Sequence, residues 1–194
     1  MGGPLLGFDA RAPREALEFG RGFESTVVRL ERHLERWEDL KAVLRRVPLT
    51  APTDSYYISS GFGMRKDPLT HRRAMHYGTD FSSAHRTPVL CTAAGTVTFS
   101  GRNGPYGLMV EIDHGLGLKT RYGHLHQSLV RAGDVVAFRD EIGLMGSTGR
   151  STGSHIHYEV VLDGIPQDPE NFLKAGKHVL CEKPPARNAE EAIA

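Results

Sequence analysis

From Tyr56 to Leu173 the sequence is built of short alternating segments, TVTFSG, LMVEID, LKTRYGHL, DVVAF and HIHYEVVLDG, separated by glycine-bearing turns such as GRNGPYG, DHGLG and GSTGRSTGS. Strand side chains alternate between faces with a period of two. Short segments of this kind with turn signals at such spacing specify an antiparallel all-β domain. The expected fold class is therefore mainly β, an antiparallel sheet domain, with whatever lies upstream appended to it.

Upstream, the stretch from Arg14 to Val47 is rich in helix formers and has no proline between Pro13 and Pro48. Val27, Leu30, Leu34, Trp37 and Leu44 follow one another at three, four, three and seven residues with charges of both signs between them, the pattern of an amphipathic helix. Gly20 and Gly22 argue against helix before about Phe23. The apolar stripe suits a helix packed on its own domain or a coiled-coil or dimerising arm, and the heptad pattern is too short to choose. The stretch VPLTAPTDSYY, with two prolines, reads as a linker. The expected organisation is a helical arm over residues 1–47, a linker over 48–55, the β-domain over 56–174 and a polar, proline-bearing, loosely ordered tail over 175–194.

Composition narrows the function. A chain of 194 residues, 39% hydrophobic, can bury a real core. With 24 basic and 23 acidic residues, a net charge of +1 gives no footprint for nucleic acid and no polybasic membrane patch. No apolar run approaches the roughly 18 residues of a membrane span, and the opening MGGPLLGFDARAPRE lacks the order of a secretory signal. The two cysteines, Cys91 and Cys181, are too far apart for a CxxC motif. Cys91, inside PVLCTAAGTV, reads as a buried free thiol, although a Cys91–Cys181 disulfide is open to an oxidising compartment.

Local chemistry then comes from histidine. Seven of the ten histidines, His76, His85, His114, His124, His126, His155 and His157, fall between His76 and His157 inside the β-domain. In GSHIHYEV the strand period puts His155, His157 and Glu159 on one face and Ile156, Tyr158 and Val160 on the other. MHYGTDF offers His76 and Asp80, and RYGHLH offers His124 and His126. A hydrolytic zinc site takes about three histidine or carboxylate ligands and keeps a position for water. One carboxylate and two imidazoles from separate segments satisfy that count, but spacing alone does not say which histidine holds metal and which moves protons. The helix-borne H-E-x-x-H motif is absent.

MHYGTDF resembles the H-x-x-x-D motif, and GSTGRSTGSHIHYEV the glycine- and serine-rich loop running into H-x-H, of the LytM and lysostaphin type of zinc metallopeptidases. SGFGMRKDPLTHRRAMHYGTDF, TPVLCTAAGTVTFSG, YGLMVEIDHGLGLKTRYGHL and RAGDVV fall in that family's order, so the resemblance covers roughly Ser59 to Leu173. It implies His76, Asp80 and His157 as ligands of Zn2+, and His124 and His155 as the histidines that hold and polarise the attacking water and steady the oxyanion. The order of roles between those two is left open. The implied substrate is the peptide cross-link of bacterial peptidoglycan, reached through the stem peptides, and the implied chemistry is hydrolysis by metal-activated water.

For the other residues plainer readings hold. His114 reads as a turn histidine, His126 projects beside His124, Glu159 is a candidate acceptor for a ligand imidazole, and His33, His71, His85 and His178 read as exposed. Asn103, Tyr106 and the loop Ser147 to Ser154 are implied to line a substrate groove. The one departure from the family pattern is AFRDEIG after Val136, where relatives carry a Gly-Gln or Gly-Asp pair before the Ile, and it is remote from the ligand motifs.

A competing expectation is a LytM-type regulatory module that binds and activates another cell-wall hydrolase; all five filled positions weigh against it. A lipoyl-carrier domain, suggested by RAGDVVAFRDEIG, lacks the Met-Lys hairpin tip and leaves the histidines unexplained. An extracytoplasmic site of action (periplasm or cell envelope) is implied by the resemblance, so a signal or membrane anchor, or a coiled-coil partner, is expected at or beyond the N-terminus. Activity and zinc affinity are expected to fall together below roughly pH 6, as imidazole ligands protonate.

Overall fold

The computed structural model describes the backbone of residues 14–67 and 71–180 and the side chains of residues 25–67 and 71–177. Helix α1, Arg14–Leu44, is longer than the glycines suggested, because it runs through both Gly20 and Gly22. Each costs about 1 kcal/mol relative to alanine in a helix, and thirty-one residues carry that cost. Of the described residues, those up to Val43 form one compact unit and those from Leu44 another. On the helix, Leu30, Leu34, Trp37 and Leu44 are exposed. Among the described residues no helix is long and apolar enough to cross a membrane.

The second unit is antiparallel β. Its strands are β1 Tyr57–Ser60, β2 Gly63–Lys66, β3 Arg73–His76, β4 Thr79–Ser82, β5 Pro88–Leu90, β6 Gly95–Arg102, β7 Leu108–Gly115, β8 Leu118–Leu125, β9 Gln127–Ser128, β10 Val135–Val136, β11 Glu141–Leu144, β12 His155–Leu162 and β13 Ile165–Gln167, followed by helix α2, Pro169–Leu180. Seven of them form one sheet in the order β1-β4-β12-β8-β7-β6-β10, with β13 paired to β12. A small sheet, β5-β11-β9, closes the core, and β2 and β3 pair as a separate hairpin. The alternation predicted for β12 is present: Ile156, Tyr158 and Val160 join Phe81, Val110, Ile112 and Tyr122 in the core with Val89 of β5 and Ile142 of β11. The buried phenols of Tyr122 and Tyr158 both meet Thr92 Oγ1 at 2.9 Å, which satisfies groups that would otherwise be costly to bury.

Three local expectations are corrected. The stretch read as a linker is packed: Pro52 and Thr53 are buried, Val47 and Ala51 lie against the core, and Leu90 N donates to Pro52 O at 2.8 Å. Its prolines punctuate the chain without detaching it. Helix α2 passes the boundary drawn at residue 174 and reaches Leu180, anchored by Phe172 and Leu173 on the core; residues 181–194, with Cys181, lie outside the described residues. His114 is a buried strand residue of β7 rather than a turn residue, its ring held between Ala94 O (2.9 Å) and Thr120 Oγ1 (2.7 Å). Cys91 is buried and free.

Candidate active site

β4 lies between β1 and β12, and its register sets Asp80 directly opposite His157. Facing residues of an antiparallel pair put their side chains on the same side of the sheet, about 5 Å apart. His76 closes β3 just before the turn at Tyr77 and Gly78, and that turn presses on β12: a Cβ on Gly78 would lie 2.4 Å from Tyr158 O and 2.9 Å from His157 Cε1. Only glycine admits this approach. As a result three buried donors converge. His76 Nε2 is 3.1 Å from Asp80 Oδ1 and 3.0 Å from His157 Nδ1, and His157 Nδ1 is 2.9 Å from Asp80 Oδ1.

The outer atom of each ring is also held. His76 Nδ1 donates to Gly61 O at 2.7 Å, and His157 Nε2 donates to Glu159 Oε1 at 3.0 Å. Carbonyl and carboxylate oxygens only accept, so these partners hold the outer N–H of each ring, and an inner nitrogen that gives up its proton turns a lone pair toward the centre. Glu159, almost fully buried, is charged and fully engaged: Tyr106 Oη donates to Oε1 at 2.7 Å and Arg121 to Oε2 at 3.1 Å, while Glu111 holds Arg121 Nε at 2.8 Å. Glu159 was a candidate acceptor from the strand period; Gly61, Arg121 and Glu111 carried no sequence signal for this role.

The electrostatics favour positive charge at the centre. Burial opposes ionisation of Asp80, but hydrogen bonds from His157 and His76 outweigh it and hold the carboxyl well below its usual range. Burial likewise opposes a charged His157, yet the hydrogen bonds to Asp80 and Glu159 prevail and raise it to about 9. A metal bound by these groups would have to displace that proton, which ties metal affinity to pH. Zinc ligands about 2.0 Å from the ion stand about 3.3 Å apart at tetrahedral corners, close to the separations of 2.9–3.1 Å seen here. The donor set and its spacing therefore fit zinc, and these three residues are the group among the described residues able to hold a metal ion.

Beside the trio stand the other two histidines. His155 Nε2 is 3.9 Å from Asp80 Oδ1, and the rings of His124 and His155 are 4.7 Å apart. His124 reaches this side against the strand period. Thr120 and Tyr122 of β8 face the core, so regular alternation would send His124 there too, but its φ of +61° turns the ring out and lets Leu125 take the core position. A left-handed non-glycine residue costs about 1–3 kcal/mol and marks functional positions. Burial pushes His124 down to about 4, so its imidazole is neutral at pH 7. His126 does not project beside it: it is exposed, with its ring 4.7 Å from that of His85.

All five histidine and aspartate positions line one groove of about 730 Å³, with Tyr106 and residues 150–154 along its walls. Asn103 and Ser147 are not part of that lining. His33, His71 and His85 are exposed as expected, and the side chain of His178 lies outside the described residues.

The family model described as Peptidase family M23 matches residues 74–169. The catalytic domain of lysostaphin from Staphylococcus simulans superposes with a TM-score of 0.57 at 31% identity, over 61% of this chain and 92% of that domain. The chain belongs to peptidase family M23. Within that family it is similar to the peptidoglycan DD-endopeptidase ShyA of Vibrio cholerae, 39% identical over 175 residues, which span 89% of this chain and 40% of ShyA. It is also similar to the crystal structure of a zinc containing peptidase from Vibrio cholerae, with a TM-score of 0.57 and 41% identity over 60% of this chain and 37% of that one. The chain thus spans well under two thirds of the length of the curated M23 relatives it matches, 40% in the case of ShyA.

Proposed function

We propose that this M23 chain is a zinc-dependent endopeptidase that hydrolyses peptide cross-links of bacterial peptidoglycan, with the β-domain of residues 56–174 as its catalytic part and its work done outside the cytoplasm, in the periplasm or cell envelope. The observation that carries the reading is the buried trio of His76 Nε2, Asp80 Oδ1 and His157 Nδ1, mutually 2.9–3.1 Å apart, with His124 and His155 beside it in one groove. The names of its relatives, a peptidoglycan DD-endopeptidase and a zinc containing peptidase, support the substrate and the metal.

His76, Asp80 and His157 would hold the zinc, which when bound supplies Lewis acidity toward the scissile carbonyl and lowers the pKa of water. The remaining chemistry belongs to the chain. His124 Nδ1 donates to Thr148 O at 2.7 Å and His155 Nδ1 to Gly153 O at 2.9 Å, so both rings are oriented with Nε2 as the free nitrogen. The pair divides two tasks between them: one ring, neutral, takes a proton on Nε2 from the attacking water and returns it to the leaving amine, and the other, when it carries a proton on Nε2 as well, donates that N–H to the developing oxyanion. Tyr106, with its hydroxyl pushed up to about 12 by burial and by Glu159, stays protonated and keeps Glu159 in place.

The test is zinc content by elemental analysis together with digestion of cross-linked peptidoglycan, for the wild type, His76→Ala and Asp80→Ala. About one zinc per chain, lost with cleavage in both variants, is the expected result. Zinc without cleavage would assign the chain to the regulatory class of module, and no zinc would overturn the proposal.

A further inference from the structure

The groove has a charge pattern that hydrolysis itself does not require. Its acids are Asp67, Asp80 and Glu159, with side chains 12%, 9% and 1% exposed, each already engaged by basic partners. Its bases are Arg65 and Arg150, with side chains 33% and 46% exposed. The charged groups that the groove exposes to a ligand are therefore chiefly the two guanidiniums, with the carboxylates beneath them. Arg65 and Asp67 are two residues apart, on β2 and its continuation, and so share a face. Arg150 reaches Asp67 Oδ2 at 2.5 Å from the opposite wall, the loop before β12. Arg65 commits one guanidinium nitrogen to Asp80 Oδ2 at the long distance of 3.4 Å.

From this geometry we infer that Arg65 and Arg150 bind a carboxylate of the substrate beside the scissile bond, so that the groove selects anionic stem peptides over neutral bridges. A guanidinium presents several N–H donors in a planar fork that matches a carboxylate. Arg150 shows that fit internally, since its partner Asp67 is itself a carboxylate, and a ligand carboxylate can share or replace that contact without leaving the cation unpaired. The half-exposed guanidiniums also avoid the desolvation cost of a fully buried charge, which makes them suited to exchanging partners. The inference rests on the peptidase reading and adds to it a specificity and the residues that set it. The carboxylate comes from one of two sources, the free C-terminus of a stem peptide or a side carboxylate within it.

The experiment compares cross-linked stem-peptide dimers in three forms, unmodified, C-terminally amidated and side-carboxyl amidated, using the zinc-loaded protein. One arm reads kcat/KM for the wild type; the other reads Kd by titration calorimetry on His155→Ala, which binds without turning over. Amidation of the recognised carboxylate should weaken binding and raise KM about tenfold, the scale of losing one charge-assisted hydrogen bond, and the form that suffers identifies the source. Arg150→Gln, which touches none of the zinc-binding residues, should bind all three dimers equally, and Arg150→Lys should restore part of the preference. Arg65→Gln, which also loses its contact with Asp80, should do the same when it is compared at saturating zinc. Equal Kd values for the three dimers on His155→Ala would overturn the inference while leaving the peptidase reading untouched. Carboxylate-dependent binding with no cleavage by the wild type would do the reverse.

Discussion

His124 and His155 hold their rings 4.7 Å apart, and each is pinned by a hydrogen bond from Nδ1 to a backbone carbonyl, of Thr148 and of Gly153. Two strands, β8 and β12, thereby aim two Nε2 atoms into one groove. His124→Gln and His155→Gln should each lower kcat by about 10²–10⁴-fold while zinc content stays near one per chain. Wild-type turnover in either variant would remove that histidine from the chemistry.

Glu159 holds His157 Nε2 at 3.0 Å, and the buried charge is balanced by Arg121. Replacing the carboxylate by an amide preserves shape and removes charge. Glu159→Gln should weaken zinc binding about 10–100-fold, read by competition with a chromophoric chelator. Unchanged affinity would show that Glu159 serves packing alone.

A methyl group at Gly78 would meet Tyr158 O at 2.4 Å, backbone that cannot yield without moving β12. Gly78→Ala should therefore lower stability by about 1–3 kcal/mol and loosen the zinc site with it. Thermal unfolding and elemental analysis measure both, and a variant with wild-type Tm and full zinc would contradict the close packing of turn and strand.

Metal removal follows from the same cluster. If the folded trio holds zinc as proposed and the separated residues of an unfolded chain do not, free zinc at a hundred times its Kd should stabilise the protein by about 2.7 kcal/mol. The rise in Tm over the chelator-treated protein should vanish in His157→Ala.

His114 supplies a pH test away from the groove. Burial lowers it from the ordinary 6.5, against the opposing hydrogen bond to Ala94, so the folded ring stays neutral where the unfolded one takes a proton. In that window the unfolded state binds more protons, and stability is lost as pH falls below about 6.5. Denaturant unfolding at pH 7 and pH 5 should show a smaller loss for His114→Gln than for the wild type. Parallel losses would exclude His114 as a source of acid sensitivity.

Much of this was legible in the order of residues, and what was legible was local. The period of two fixed the opposite faces of His157 and Tyr158, because alternation is a property of the strand backbone. The antiparallel β class followed from how those segments alternate with glycine turns. The arm's helix was legible too, apart from its first residues, where the cost of Gly20 and Gly22 was set too high.

Tertiary structure decided the rest. Nothing local states that Asp80 pairs with His157 across β4 and β12, since register depends on which strands meet. Nor does periodicity place His124 in the groove, because its φ of +61° breaks the alternation that would have buried it with Tyr122. Arg65 and Arg150, 85 positions apart in the chain and both in one groove, carried no pattern at all. Local geometry is dictated by each residue and its neighbours, whereas a site is made of pairings between distant segments, and only the packed sheet determines those.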